Sequence, residues 1–184
     1  MTSSELKKFK NSLHDCLKPT VINSTFIIKE QEIKSSIKEL RLTFKNKDDV
    51  CIVTQDPTNC PSITNIFSQK QTLNSCDFIV FLLKNTAKIY FCEIKSSLSK
   101  ENYEKAIAQI KNSEVFFKYI LESYCLNFDT KMEIEEVEYW LIYPSNMSQK
   151  IDKRQFDKVL IEKKIEIKDG VFATNNGYDF FNDK

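Results

Sequence analysis

The fold that this sequence predicts depends on the stretch Cys76-Asp77-Phe-Ile-Val-Phe-Leu-Leu-Lys-Asn-Thr-Ala-Lys-Ile-Tyr-Phe-Cys-Glu93-Ile-Lys95. Two apolar runs, 78–83 and 88–94, are joined by the short polar segment 84–86, which is typical of a β-hairpin. The first run is apolar at every position, as in a strand buried on both faces. Asp77, Glu93 and Lys95 are costly to bury in such surroundings, so they need pairing, a metal ion or a function.

The hairpin register predicts where these charges meet. Side chains at i and i+2 of a strand lie on the same face, so Glu93 and Lys95 project together. If the chain turns at 84–86, the numbers of paired residues sum to about 170, which sets Asp77 across from Glu93. We therefore expect two carboxylates and one ammonium at one end of the sheet.

Apolar spacing outside the hairpin predicts the remaining elements. Helical periodicity is found over 3–17, 29–42 and 100–125, and a further helix is expected over 151–161. Strands are expected at 50–54 and 137–143, with an edge strand at 164–168. Helix, helix, strand, hairpin, helix and strand in this order predict an α/β fold with a mixed central β-sheet flanked by helices, in a single domain over 1–184.

Composition excludes several classes of function. The chain has 27 Lys and Arg residues against 26 Asp and Glu residues, so any nucleic-acid binding must use a local basic patch. His14 is the only histidine, which excludes zinc sites built on histidine pairs and Ser-His-Asp hydrolases within one chain. With only two glycines, Gly-rich phosphate-binding loops are excluded as well.

Cysteine usage and hydropathy predict a cytoplasmic protein. The six cysteines show no Cys-x-x-Cys spacing, and we expect free thiols in a reducing compartment. No apolar run of about 18 residues is present, so no membrane partner is predicted. The cysteines are Cys16, Cys51, Cys60, Cys76, Cys92 and Cys125.

The charged cluster has the composition of a hard-metal site. Carboxylates, a backbone carbonyl and water are the ligands that Mg²⁺ and Mn²⁺ prefer, so Asp77, Glu93 and the carbonyl of Ile94 are candidate ligands. Lys95 would hold or deprotonate an attacking water. A bound metal lowers the pKa of water and neutralises charge on a phosphate, and the cluster thus indicates a metal-dependent nuclease.

The same residues resemble the PD-(D/E)XK nuclease superfamily. Asp77, Glu93-Ile94-Lys95 and the following helix resemble its restriction-endonuclease-like αβββαβ core over about 30–143, with an N-terminal helix at 3–17 and a C-terminal extension at 145–184. The resemblance implies that Asp77 and Glu93 bind the metal, that Lys95 is the water-orienting base and that Gln109 supports the active site. Gln109 stands where the RecB-type branch places a glutamine.

Two positions depart from the family pattern, and one further metal ligand is left open between two glutamates. Cys76 replaces a proline before the Asp, and Ser113 stands where the RecB-type branch often has a tyrosine. A glutamate on the first core helix often completes the metal site in this family. Glu32 and Glu39 are both candidates here, with Glu39 preferred.

The resemblance implies hydrolysis of DNA phosphodiester bonds, with RNA as a possible substrate. We expect a homodimer or a subunit of a DNA-processing or defence assembly. One alternative is a catalytically inactive nuclease-like fold that serves as a nucleic-acid-binding or protein-interaction module. Another is that Glu93 and Lys95 form the solvated face of an edge strand and Asp77 is only a turn residue.

Overall fold

The computed structural model describes residues 1–30, 35–55, 74–84, 86–147 and 151–182. Its α-helices are α1 (Ser3–Ser12), α2 (Lys100–Asn127) and α3 (Gly177–Asn182). Its strands are β1 (Thr20–Ile22), β2 (Thr25–Lys29), β3 (Glu39–Thr43), β4 (Val50–Thr54), β5 (Phe78–Leu83), β6 (Ala87–Ile94), β7 (Glu136–Pro144), β8 (Ile161–Ile165) and β9 (Val171–Thr174).

The central sheet has five strands in the order β4-β5-β6-β7-β8. β4, β5 and β6 form an antiparallel meander, and β7 lies parallel to β6 after the α2 crossover. Phe78 pairs with Cys92 and Leu83 with Ala87, so paired numbers sum to 170. The predicted hairpin and its register are confirmed, as are the strands near 50–54 and 137–143 and the long helix.

One face of the central sheet is covered by α1 and α2. Ile79, Phe81 and Phe91 point to this face and form one apolar cluster with Phe9 of α1 and Phe117 of α2. The rings of Phe9 and Phe117 meet edge to face at 6.1 Å. Because successive side chains of a strand alternate between faces, the same strands can bury a second apolar set on the other side.

That second face packs against the four-stranded sheet β1-β2-β3-β9 and against α3. Leu40 and Leu42 of β3 lie in one cluster with Val80, Trp140 and Phe181. The molecule is therefore an α/β fold with two mixed sheets. The expectation of a sheet flanked by helices holds for the α1 and α2 face, whereas the opposite face is covered mainly by a second sheet.

The predicted helix over 29–42 is wrong within the described residues. Lys29 ends β2, and Glu39–Thr43 is β3, paired with β2 on one side and β9 on the other. Leu40 and Leu42 are buried around the exposed Arg41, a period of two that favours a strand. The segment forms a strand despite its helical spacing, because β3 makes backbone hydrogen bonds to β2 on one edge and to β9 on the other. Positions 31–34 lie outside the described residues.

The predicted helix over 151–161 is also wrong for the described residues. A single 3₁₀ turn forms at Lys153–Gln155, and Ile161 already begins β8, pairing with Trp140. The amide of Leu160 donates to the Tyr103 hydroxyl at 2.7 Å, which holds this segment extended against α2. β8 is an edge strand, but it begins earlier than the predicted 164–168.

The N-terminal helix is shorter than the predicted 3–17. Thr2 and Glu5 form a reciprocal capping box at its start, and the backbone becomes extended at Leu13. A separate 3₁₀ turn follows at Asp15–Leu17.

Cysteine state differs in part from the prediction. Cys16 is disulfide-bonded, so the expectation of six free thiols is wrong at that position. The free cysteines in the described part of the chain are Cys51, Cys76, Cys92 and Cys125.

No helix among the described residues is long and apolar enough to cross a membrane.

Candidate functional site

Asp77 and Glu93 meet at the end of the central sheet where β5 begins and β6 ends. Asp77 immediately precedes β5, and its Oδ2 accepts a hydrogen bond from the Ile94 amide at 2.6 Å. This bond ties the carboxylate to the last residue of β6. The hairpin register thus brings together the two acidic residues that the sequence predicted.

Glu93 is a carboxylate in an almost fully enclosed position, with 1% of its surface exposed. Its Oε1 accepts from the Lys95 ammonium at 2.5 Å. Its Oε2 is buried and has no hydrogen-bond partner among the described residues. Buried carboxylate oxygens are normally satisfied, so this oxygen marks a place where a ligand could bind.

Lys95 is held by a second contact that comes from α2. Its ammonium donates to Gln109 Oε1 at 2.9 Å, and Gln109 Nε2 donates to the Ser75 carbonyl at 3.0 Å. Gln109 therefore joins the lysine to the segment that leads into Asp77. The four predicted side chains Asp77, Glu93, Lys95 and Gln109 form one connected site.

The first half of α2 fixes this arrangement. Ser99 caps the helix by accepting from the Asn102 amide at 3.2 Å, which sets where the helix starts relative to Lys95. One turn beyond Gln109, the buried Ser113 hydroxyl accepts from the Cys76 amide and donates to Gln55, both at 2.8 Å. Ser113, which departs from the family pattern, thus anchors the residue before Asp77. No sequence signal identified this role.

Burial and like charges set the electrostatics of the two acids. Burial raises the pKa of Glu93 to about 7, with a further contribution from Glu30 and partial opposition from Lys95 and from the nearby backbone amide of Asp77. Burial, Glu93 and Glu30 together raise the pKa of Asp77 well above its usual value. Both acids resist ionisation in the absence of an added cation.

The lysine, unlike the two acids, is stabilised in its charged form. Burial lowers the pKa of Lys95, but the charges of Glu93 and Asp77 and the hydrogen bond to Glu93 outweigh burial and raise it. Lys95 therefore remains an ammonium at neutral pH. The site contains a fixed cation beside two acids with a raised pKa.

Glu30 is a residue of this site that sequence reasoning missed. It follows β2, and its negative charge acts on Asp77, Glu93 and Lys95 alike. Glu39, the predicted third acid, lies on β3 in an ion pair with Arg41. Glu32, the other candidate, lies outside the described residues. The helical interpretation of 29–42 concealed Glu30, because only the strand end brings it near the site.

The donor set fits a hard divalent cation only with help from backbone and water. No group of three or more His, Cys, Asp or Glu side chains able to hold a metal is found in the described ranges. Asp77 and the unpartnered Oε2 of Glu93 are hard oxygen donors, and Mg²⁺ usually keeps several waters with only one or two carboxylates. These two residues are thus compatible with Mg²⁺ or Mn²⁺.

No family model matches the chain, and comparisons with curated proteins and with solved structures gave no match either.

Proposed function

We propose that this protein is a Mg²⁺- or Mn²⁺-dependent nuclease that hydrolyses DNA phosphodiester bonds. The observation that carries the proposal is Glu93 Oε2, a buried carboxylate oxygen with no donor among the described residues. A carboxylate kept in such a position costs stability, and natural proteins retain such costs mainly at functional sites. Asp77 beside it supplies the second oxygen ligand.

The order of elements around the site supports the same proposal. A meander β4-β5-β6, the helix α2 and the parallel strand β7 follow one another as in the αβββαβ core of the resembling nucleases. The helix predicted over 29–42 at the start of this core is replaced, within the described residues, by strands, and α1 is the helix that precedes the meander, with β1, β2 and β3 between them. α1 packs on the same apolar cluster as α2. In this arrangement Asp77 lies at the start of β5 and Glu93 near the end of β6, as the resemblance implies.

Lys95 would act as a cation rather than as a proton acceptor. An ammonium has three N–H donors, and Glu93 and Gln109 accept two of them. The third can hold the attacking water or a phosphate oxygen that gains charge in the transition state. Gln109 would orient the ammonium, and Asp77 and Glu93 would hold the metal together with the Ile94 carbonyl. When bound, the metal would supply charge neutralisation at the phosphate and a water of lowered pKa.

Cleavage assays with conservative variants test the proposal. Single- and double-stranded DNA and RNA are incubated with the protein in Mg²⁺, Mn²⁺ or EDTA. We expect metal-dependent cleavage of DNA and a loss of about 100-fold or more in Glu93→Gln and Lys95→Met. The exposed ion pair Lys105–Glu101 provides the matched controls Glu101→Gln and Lys105→Met, which should retain activity.

The alternative is an inactive module that binds nucleic acid or protein, and the lack of a third metal-binding side chain in the described ranges favours it. Cleavage assays combined with thermal melting in the presence of metal distinguish this alternative from the nuclease. Such a module would show no metal-dependent cleavage of any substrate. A rise in melting temperature with Mn²⁺ that is absent in Glu93→Gln would still identify a metal site. No cleavage and no metal effect would refute the nuclease.

A further inference from the structure

A second concave site lies between α1, the β1 region and β4. Its volume is about 340 Å³, within the range of small-molecule sites. β4 runs from Val50, beside this cavity, to Thr54, which pairs with Phe78 next to Asp77. The cavity therefore lies toward the opposite end of β4 from the carboxylate site. The nuclease mechanism uses none of its side chains.

The cavity carries an excess of positive charge. Four lysines line it, and Asp48 is the acidic residue among its described lining. Asp48 is already paired with Lys7 at 2.8 Å, and Lys18 is paired with Asp15 at 3.0 Å. The remaining two cations are Lys10 and Lys47. An anion would balance their charges.

Lys10 is anchored by groups that carry no charge. Its ammonium donates to the backbone carbonyls of Lys47 at 2.7 Å and Val50 at 3.3 Å. Two of its three N–H donors are thus used and one remains for a ligand. Burial lowers the pKa of Lys10, which is the response of a half-buried cation that lacks a directly bonded anion.

Lys47 is exposed and lies near Lys10, since its positive charge contributes to the lowered pKa of Lys10. Its ammonium has no ion-pair partner among the described residues, whereas its backbone carbonyl is held by Lys10. Asn11 on α1 adds an amide to the same lining. Two ammonium groups and an amide are suited to the several oxygens of a phosphate group.

The rest of the lining is apolar. Pro19, Val21, Phe26 and Ile52 form this part of the wall. Val21 is 44% exposed, whereas Phe26 and Ile52 are buried in the core behind it. Inorganic phosphate would contact the lysines and leave Pro19 and Val21 in contact with water. A phosphate ester that carries a ring would cover both parts of the lining.

We infer that the cavity between α1 and β4 binds a phosphate ester of about mononucleotide size, with the phosphate on Lys10 and Lys47 and the ring against the apolar wall. This site is separate from the proposed nuclease function. The phosphate can belong to a free nucleotide or to a nucleic-acid strand, since both present the same group. Binding requires no metal and no cleavage.

Calorimetric titrations in EDTA test this inference. The probes are deoxyadenosine monophosphate, inorganic phosphate, deoxyadenosine and a six-nucleotide DNA. We expect the monophosphate to bind at least about 10-fold tighter than either phosphate or deoxyadenosine, because each of these lacks half of the contacts. A six-nucleotide DNA that binds tighter still through the same lysines would identify a strand as the source of the phosphate.

Variants assign the binding to the cavity. Lys47→Ala removes an ammonium that makes no ion pair in the described structure, so it should fold normally and weaken the monophosphate about 10-fold. The control is Lys118→Ala, at another exposed lysine, on α2 and outside the cavity, which should bind like the wild type. Glu93→Gln should also bind like the wild type. Equal affinity in wild type and Lys47→Ala, or no binding of the monophosphate, would overturn the inference and leave the nuclease proposal untouched.

Discussion

Glu93 combines two properties that a purely structural carboxylate rarely shows. It is enclosed by the fold, and one of its oxygens has no donor among the described residues. Its ionisation is therefore opposed by burial, and Lys95 offsets only part of that effect. At the scale of single residues, we therefore expect the proposed cation, if it binds there, to stabilise the protein.

The pKa of Glu93 predicts how stability depends on pH. Its folded pKa of about 7 lies above the ordinary 4.5, so its contribution is most favourable below pH 4.5 and is lost as the pH rises to about 7. Glu93→Gln mimics the protonated acid and keeps an acceptor for Lys95. We expect this variant in EDTA at pH 8 to exceed wild-type stability by up to about 3 kcal/mol.

Urea unfolding at a series of pH values measures this difference. The gap between variant and wild type should shrink as the pH falls toward 4.5. A variant that is less stable than wild type at pH 8 would show that ionised Glu93 stabilises the apo protein.

Gln109 should affect turnover more than substrate binding. Gln109→Leu removes the acceptor that orients Lys95 and the donor to the Ser75 carbonyl. For the proposed nuclease activity, we expect kcat for DNA cleavage to fall about 10-fold with little change in KM, because a mispositioned group costs mainly transition-state stabilisation. The control is Gln155→Leu, at an exposed glutamine in the 3₁₀ turn. A rise in KM alone would assign Gln109 to substrate binding.

At the scale of elements, the β5–β6 hairpin and α2 act together. The hairpin register sets Asp77 beside Ile94, and α2 then attaches the segment before Asp77 through Gln109 and Ser113. In the hairpin alone, the Ser75 carbonyl and the Cys76 amide would lack these hydrogen-bond partners. Side chains of α2 supply these partners, so the site depends on contact between elements that are distant in sequence.

Ser113→Ala tests this dependence. The change leaves the Cys76 amide without its partner and removes the hydrogen bond to Gln55. An unsatisfied buried amide costs about 1–3 kcal/mol, and we expect that loss in the free energy of unfolding in urea. Ser123→Ala, at a half-buried serine on the same helix, should change it by less than about 0.5 kcal/mol. Equal effects would mean that Ser113 is not an anchor.

At the scale of the whole molecule, the central sheet is shared by two apolar clusters. The cluster with α1 and α2 lies on one face, and the cluster with the second sheet and α3 lies on the other. Trp140 is the only tryptophan and is buried in the second cluster, whereas most helical residues lie on the first face. Fluorescence and ellipticity at 222 nm therefore report on opposite faces.

Because both clusters use the same strands, we expect them to unfold together. Phe117→Ala removes a buried ring on the helical face and should cost about 3–5 kcal/mol. The unfolding midpoints measured by fluorescence and by ellipticity should still coincide. Both midpoints should shift by the same amount from those of the wild type. Loss of ellipticity before fluorescence would indicate that the helical layer unfolds by itself.

The sequence by itself determined the hairpin, its register and the meeting of Asp77 with Glu93. Those features follow from local rules, since a short turn fixes pairing and alternation fixes which side chains share a face. The long helix was equally evident, because its apolar residues recur at helical spacing over many turns. Gln109 was identified through the family resemblance and not through its contacts.

Tertiary structure alone decided the second sheet and the roles of Glu30 and Ser113. The spacing of apolar residues in 29–42 also suits a helix, and only pairing with β2 and β9 makes Glu39–Thr43 a strand. That pairing places Glu30 near the acids and Glu39 beside Arg41. The raised pKa of Glu93 is also decided by tertiary structure, because it arises mainly from burial by the layers that enclose the residue.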